Sequence, residues 1–259
     1  MANMTDVHRL IVQTFMSRGI LTEKELGDVT KHACDYFKEK ETSGERFIRD
    51  INPNIQSVSM EIRTGKEEVS GANVYVLVRT TESELGRLST DYTPNELELF
   101  KKMMGLIIES EGAASSTDIL NLTNNLQKRM SKAEAETVLK SLVRNKWLTE
   151  VQGEVSLSNR SIIEMEHYMQ SVYQDEVKSC NICKKIVLRG CSCYQRDCGI
   201  RIHFYCARRF FQNQTHVTCP NCKKPWTDEF ASTDEDEDDQ PTQSRQTAST
   251  SRKRKDRRV

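Results

Sequence analysis

The chain has 259 residues, 36% of them hydrophobic, and its 38 basic and 38 acidic side chains cancel to a net charge of zero. No stretch approaches the roughly 18 apolar residues that a membrane-crossing helix needs, and MANMTDVHRLIVQTF lacks an apolar core followed by a small-residue cleavage site, so the chain reads as soluble and intracellular with no membrane partner. Neutrality hides a division: residues 1–177 carry 21 basic against 28 acidic side chains, residues 178–230 carry 10 against 3, and residues 231–259 carry 7 against 7, which excludes bulk attraction to DNA phosphate for the large N-terminal part.

Helix signals come first. In VHRLIVQTF, Val7, Leu10, Ile11 and Phe15 fall on one stripe. Thr22 and Glu25 have the capping-box spacing for a second helix running through Tyr36 and Phe37, with Cys34 as a small apolar filler. A shorter helical run, ERFIRDIN, precedes two β-rich runs, SVSMEIRTG and NVYVLVRT, joined by the turn-like KEEVSGA. Three helices and a two-stranded wing describe a winged helix.

The order then recurs. Thr93 caps a helix with Pro94 at its first position and Glu96 at its third, burying Leu97, Phe100, Met104, Ile107 and Ile108. SSTDILNLTNNL opens a second helix at Ser116 or Thr117, and Ser131 with Glu134 boxes a third, turning Val138, Leu139, Leu142 and Val143 inward. KWLTEV, a Gln152-Gly153 turn and EVSLS make the wing, and NRSIIEMEHYMQSVY closes with a helix. The third helix sets Lys132, Lys140 and Arg144 against Glu134 and Glu136, a mixed face that reads as solvated surface rather than a phosphate footprint. His8, His32 and His167 have no metal-like neighbours in sequence and read as surface or internally satisfied residues.

Eight of the nine cysteines lie between residues 180 and 222. In a reducing compartment such a cluster points to metal rather than disulfides. Its spacing is Cys180-x2-Cys183, nine residues, Cys193-x4-Cys198-x4-His203-x2-Cys206, twelve residues, and Cys219-x2-Cys222. Two cysteines two residues apart close a knuckle around a tetrahedral ion, so eight ligands make two zinc sites. If the pairs alternate as in a cross-brace, one Zn2+ takes Cys180, Cys183, His203 and Cys206, and the other takes Cys193, Cys198, Cys219 and Cys222. Cys191 and Cys193 both meet the spacing for the third ligand. Cys193 is favoured because Cys191 follows Gly190 at the end of an expected KIVLR strand, and His203 is favoured over His216 because RIHFYC makes a compact pair with Cys206.

This ligand order is shared by PHD fingers, which read histone tails, and by variant RING fingers, which hold a ubiquitin-charged E2 enzyme. Three features favour RING: Ile182 within the first knuckle, Pro220 in CPNC, and CARRFFQ as a short helix after the sixth ligand. No aromatic residue directly precedes the first ligand pair to build a methyl-lysine cage. A RING finger does no covalent chemistry and acts by positioning a charged E2. Ile182 and Pro220 are the candidate E2 contacts, with Lys223 or Lys224 approaching ubiquitin. The expected fold is therefore mainly α with small β wings: two tandem winged-helix domains at residues 1–88 and 89–177, a two-zinc cross-braced RING-like finger at 178–230, and a disordered tail at 231–259. That tail, with its acidic run, Ser/Thr-rich spacer and basic end at 252–258, is too polar to fold alone and ends in a nuclear-localisation-like run.

The motifs MTDVHRL, TPNELELFKKMMGLII, SSTDILNL, NKWL, CNIC, CGIRIH and CPNC, in that order from about residue 4 to 230, closely resemble the non-SMC element one subunit of the SMC-five/SMC-six chromosome-maintenance complex. The resemblance implies a nuclear, chromosome-associated genome-stability protein whose winged helices bind a MAGE-type partner, element three, alongside the kleisin element four and the SMC core. It implies a variant-RING ubiquitin ligase assisted by the MAGE partner, with DNA reached through the complex. By motif match the family's ligands fall on Cys180, Cys183, Cys193, Cys198, His203, Cys206, Cys219 and Cys222. Two rival readings remain: a finger that only braces the MAGE and kleisin assembly, and a PHD-like histone-tail or DNA-binding module. The segment between Cys206 and Cys219 lacks the usual RING tryptophan, which implies weak intrinsic E2 binding.

Overall fold

The computed structural model describes residues 4–80, 88–195, 197–214 and 216–226. The tail expected at 231–259 lies outside the described residues. The chain begins with α1 (Asp6–Arg18), β1 (Ile20–Thr22), α2 (Glu23–Phe37), α3 (Gly44–Ile55), β2 (Met60–Lys66) and β3 (Asn73–Arg79). The three strands form an antiparallel sheet in the order β1-β3-β2, with Ile20 opposite Val76 and Ile62 opposite Leu77. The expected capping box at Thr22 and Glu25 is present: the Glu25 amide donates to Thr22 Oγ1 at 3.2 Å and the Thr22 amide donates to Glu25 Oε2 at 2.8 Å, satisfying two orphan donors of α2. Val7, Ile11 and Phe15 of α1, Leu26 and Cys34 of α2, and Ile48 and Ile51 of α3 bury together against Tyr75 and Leu77 of β3. His8 is also buried, and its Nδ1 accepts from the Thr5 amide at 3.2 Å, closing the start of α1.

The second unit repeats the plan. It contains α4 (Leu88–Asp91), α5 (Pro94–Glu109), β4 (Ala114–Ser115), α6 (Ser116–Asn121), α7 (Lys132–Arg144), β5 (Leu148–Val151) and β6 (Glu154–Leu157). Its sheet order is β4-β6-β5, the same arrangement as the first. Boxes at Thr93/Glu96 and Ser131/Glu134 start α5 and α7 as the sequence predicts. The mixed face of α7 is partly self-neutralised, Lys140 Nζ lying 2.6 Å from Glu136 Oε1.

Several expectations need correction. Each winged helix has a third strand, β1 or β4, too short to show alternation and defined only by its pairing to β3 or β6. Leu10, Leu97 and Val143 are only partly buried, whereas Leu99 and Met103 are wholly buried, because α5 is covered on more than one side. One covering element comes from the closing segment. It is not a single helix but two, α8 (Asn159–Glu164) and α9 (Glu166–Val172), broken at Met165 with φ −106° and ψ 16°. The break lets α8 pack across β2 and β3 of the first unit while α9 returns to the second, where Tyr173 just beyond it donates from its hydroxyl to the Lys101 carbonyl at 3.1 Å.

Candidate metal centre

The finger contributes β7 (Cys191–Ser192), β8 (Arg201–Ile202) and α10 (Phe204–Phe211). KIVLR is not a strand: only Ile186 bridges, to Ser179, and Ile186 and Leu188 instead insert into the core of the second winged helix. The two Cys-x-x-Cys knuckles are built alike. Cys180 donates its amide to the Lys185 carbonyl at 2.8 Å and Cys219 donates to the Lys224 carbonyl at 2.8 Å, while Lys184 and Lys223 donate back to the carbonyls of Cys180 and Cys219 at 2.9 and 3.0 Å. The return is made by Lys184 and Lys223 at φ 62° and 61°, in the left-handed region. The knuckle is thus a backbone structure that aims two thiols and several amides at one point.

Two clusters result. Cys180, Cys183, His203 and Cys206 form one, and Cys193, Cys198, Cys219 and Cys222 the other, each with its ligand atoms all within 4.8 Å of one another. This is the alternating pairing expected of a cross-brace. A tetrahedral zinc about 2.3 Å from each sulfur places sulfurs about 3.8 Å apart; the Cys193–Cys222 and Cys198–Cys219 separations are both 3.7 Å. In the first cluster, His203 Nδ1 lies 3.3 Å from Cys183 Sγ and 3.9 Å from Cys206 Sγ. The donor set and spacing fit Zn2+. The other ring nitrogen of His203, Nε2, lies 2.8 Å from the Ile186 carbonyl, an N–H donation that leaves the Nδ1 lone pair for a metal.

The electrostatics favour a cation. Burial raises the Cys180 thiol, but donation from His203 and from the backbone amides of Cys183 and Ile182 outweighs it and holds the group down to about 6. Burial, then the charges at Cys180 and Cys183, pushes Cys206 up to about 12. In the second cluster Cys193 is likewise pushed up to about 12, by burial and the neighbouring thiols, while Cys198 is held at about 6, the Asn221 side chain and the Ile200 amide overcoming its desolvation. In each cluster one thiol is thus favoured as thiolate while a neighbouring one is held protonated by burial and by the sulfurs beside it. A divalent cation favours the thiolate form of both.

Cys191 and His216 lie outside both clusters. Cys191 sits in β7 opposite Ile202, buried in the finger core. Cys191→Ala is expected to retain two zinc ions per chain, whereas Cys193→Ala drops the content to one; elemental analysis of the purified variants checks this. Ile182 is half-buried, packed at the edge of the finger core, and Pro220 is half-buried in the second knuckle. Lys223 is exposed and its Nζ donates to the Pro220 carbonyl at 2.9 Å, while Lys224 Nζ donates to Gln195 Oε1 at 2.8 Å. Sequence reasoning missed four residues around the centre. Tyr205 stacks on His203 with ring centroids 5.0 Å apart. Asn221 donates to Cys198 Sγ at 3.5 Å. Trp226 packs on Phe211 in the finger core, with ring centroids 5.5 Å apart. The fourth is Glu68, whose carboxyl burial pushes above the usual carboxylate range and the amides of Leu188 and Arg189 pull back. Their positions in the sequence carry no spacing signal, and Glu68 lies 120 residues from its nearest partner.

Paired winged helices carrying an interleaved two-cluster module define a winged-helix protein with a RING-like metal-binding finger. Residues 180–222 match the family model described as a RING-like domain, and residues 8–165 match the model for the Nse1 non-SMC component of the SMC5-6 complex. The chain belongs to this Nse1 family. It is 42% identical over 234 residues to the human non-structural maintenance of chromosomes element 1 homolog, covering 89% of this chain and 87% of the relative. It is 25% identical over 225 residues to the Schizosaccharomyces pombe element 1, covering 86% and 93%. A chain of the solved Nse1-Nse3-Nse4 complex superposes with a TM-score of 0.82 at 37% identity, covering 88% of this chain and all of that one.

Proposed function

We propose that this protein is a RING-type E3 ubiquitin ligase subunit of the SMC5-6 chromosome-maintenance complex, acting in DNA repair in the nucleus. In this reading its winged helices dock the MAGE-type element three, beside the kleisin element four, and its finger positions a ubiquitin-charged E2. The solved relative is named for an assembly of Nse1, Nse3 and Nse4, which supports the docking half. The observation that carries the ligase half is the alternating pairing of two Cys/His clusters in a segment matching a RING-like domain. That pairing sets Ile182 and Pro220 in two knuckles of one backbone design. Two Zn2+ ions, one on Cys180, Cys183, His203 and Cys206 and one on Cys193, Cys198, Cys219 and Cys222, would serve a structural role by bracing the knuckles, which would hold an E2 thioester in reactive geometry without any covalent step by the chain itself.

The test is ubiquitin discharge from a panel of E2 enzymes by the purified chain with its element three partner. Ile182→Ala is expected to lower the rate about tenfold, equivalent to about 1.4 kcal/mol of lost E2 contact, with zinc content and partner binding unchanged. No discharge by the wild-type assembly with any E2, or an undiminished rate in Ile182→Ala, would defeat the ligase reading. The rival, a finger that serves only as a brace, draws support from the seating of Ile186 and Leu188 in the second winged-helix core. It predicts normal assembly and no discharge.

A further inference from the structure

The first winged helix reaches into the finger through the turn between β2 and β3. Gly71 in that turn has φ +76°, and a Cβ built on it would lie 2.6 Å from Tyr205 Cβ, so the turn is seated directly against the start of α10. Beside it, Glu68 is only 7% exposed. Its Oε1 accepts from the Leu188 amide at 2.7 Å and the Arg189 amide at 3.4 Å, and lies 3.9 Å from His203 Nε2. A buried carboxylate without such partners is strongly unfavourable, so these amides fix where the wing sits. They also belong to the segment whose Ile186 carbonyl accepts from His203 Nε2 at 2.8 Å. The contacts form one path: Glu68 holds Leu188, the backbone from Leu188 to Ile186 presents the carbonyl, and the carbonyl orients the imidazole whose Nδ1 faces Cys183 and Cys206.

The geometry points to Glu68, a residue of the first winged helix, as a positioning residue for the distant metal site of Cys180, Cys183, His203 and Cys206. That site then holds its ion tightly only with the first wing seated. The second cluster, Cys193, Cys198, Cys219 and Cys222, has no histidine and receives no such support from Glu68. The inference does not depend on ligase activity, since it concerns only how one of two metal sites is held.

Transfer of metal from the full-length protein to a chelator tests it, using cobalt(II)-substituted protein in which sulfur-to-metal absorption distinguishes a three-sulfur from a four-sulfur site. Glu68→Ala is expected to speed loss from the three-sulfur site about tenfold, the usual cost of losing an outer partner of a ligand, with the four-sulfur site unchanged. Glu68→Gln keeps an oxygen acceptor for the Leu188 amide and is expected to restore slow release. Should Glu68→Ala fail to fold, Glu68→Asp, one methylene short of the amides, carries the same expectation. Unchanged release in the Ala or Asp variant, equal acceleration at both sites, or a Gln variant as fast as Ala would each overturn the proposal.

Discussion

Stripping zinc from the protein is expected to dissolve the finger while the first winged helix stays folded. Among the described residues, the hydrophobic cluster of the finger has ten buried members, and five of them are cysteines: Cys180, Cys191, Cys193, Cys206 and Cys219. Without an ion, the side chains that fill this core are thiols that repel as they ionise, and little apolar surface remains to order the segment. Binding free energy for a structural zinc, of the order of 10 kcal/mol or more, is then largely the folding free energy of the module. The two tryptophans report on the two regions separately. Trp226 packs on Phe211 in the finger core, and Trp147 is buried in the second winged helix. Chelation should shift Trp226 fluorescence to the red, a change much reduced in Trp226→Phe, and leave most of the far-ultraviolet helix signal. It should also loosen the second winged helix, because Ile186 and Leu188 leave its core. A finger that keeps Trp226 buried after both ions are removed would show that its fold does not rest on metal.

The other large effect is expected at Arg160, where α8 meets both winged helices. Its Cζ lies 3.8 Å from the centroid of the Trp147 ring and its Nη1 donates to the Asn145 carbonyl at 2.6 Å. Its Nε faces Glu164 Oε2 at 3.6 Å, with the two side chains only 7% and 3% exposed. The first winged helix closes over the same guanidinium through Gly19, at φ +77°, where an added Cβ would come within 2.6 Å of Arg160 Cζ. A desolvated cation stacked on Trp contributes about 2 kcal/mol, and deleting one partner of a buried ion pair costs about 3–5 kcal/mol. Arg160→Ala should therefore lower stability by about 3–5 kcal/mol, a fall in Tm of roughly 10 °C for a chain of this size. Arg160→Lys should recover little, since a point charge cannot reproduce the planar stack. Arg160→Met combined with Glu164→Leu should recover more than Arg160→Met alone, because the double change removes the Glu164 carboxylate together with the guanidinium it faces. Thermal unfolding of the four variants decides it, and a loss below about 1 kcal/mol for Arg160→Ala would place the guanidinium in a wet site worth little.

How much was legible followed the range of each interaction. Capping boxes at Thr22, Thr93 and Ser131 were readable because both partners lie three residues apart. The eight clustered side chains were readable because a knuckle dictates its own spacing, and the clusters contain Cys193 and not Cys191. The short strands β1 and β4 were not, since three and two residues carry no periodicity and exist as strands only through their partners. KIVLR has the composition of a strand, yet its Ile186 and Leu188 are claimed by another core and the amides of Leu188 and Arg189 by Glu68. The break at Met165 was equally silent in sequence, because it answers to where two different units need covering.

By itself, the amino-acid sequence determined the helix starts, the repeated plan of helices and wings, and which eight side chains gather into metal-binding clusters, since each depends on partners a few residues apart or on ligand chemistry that admits few residue types. Only the tertiary structure decided that the finger is set into both winged helices, through Glu68 on the backbone of Leu188 and Leu188 in the second core, and that the two winged helices meet at Arg160 between Gly19 and Trp147. Those contacts join groups 120 residues apart at Glu68 and Leu188 and further apart still at Gly19 and Arg160. Their strength comes from burial, which is a property of the assembled chain and has no counterpart in the local order of residues.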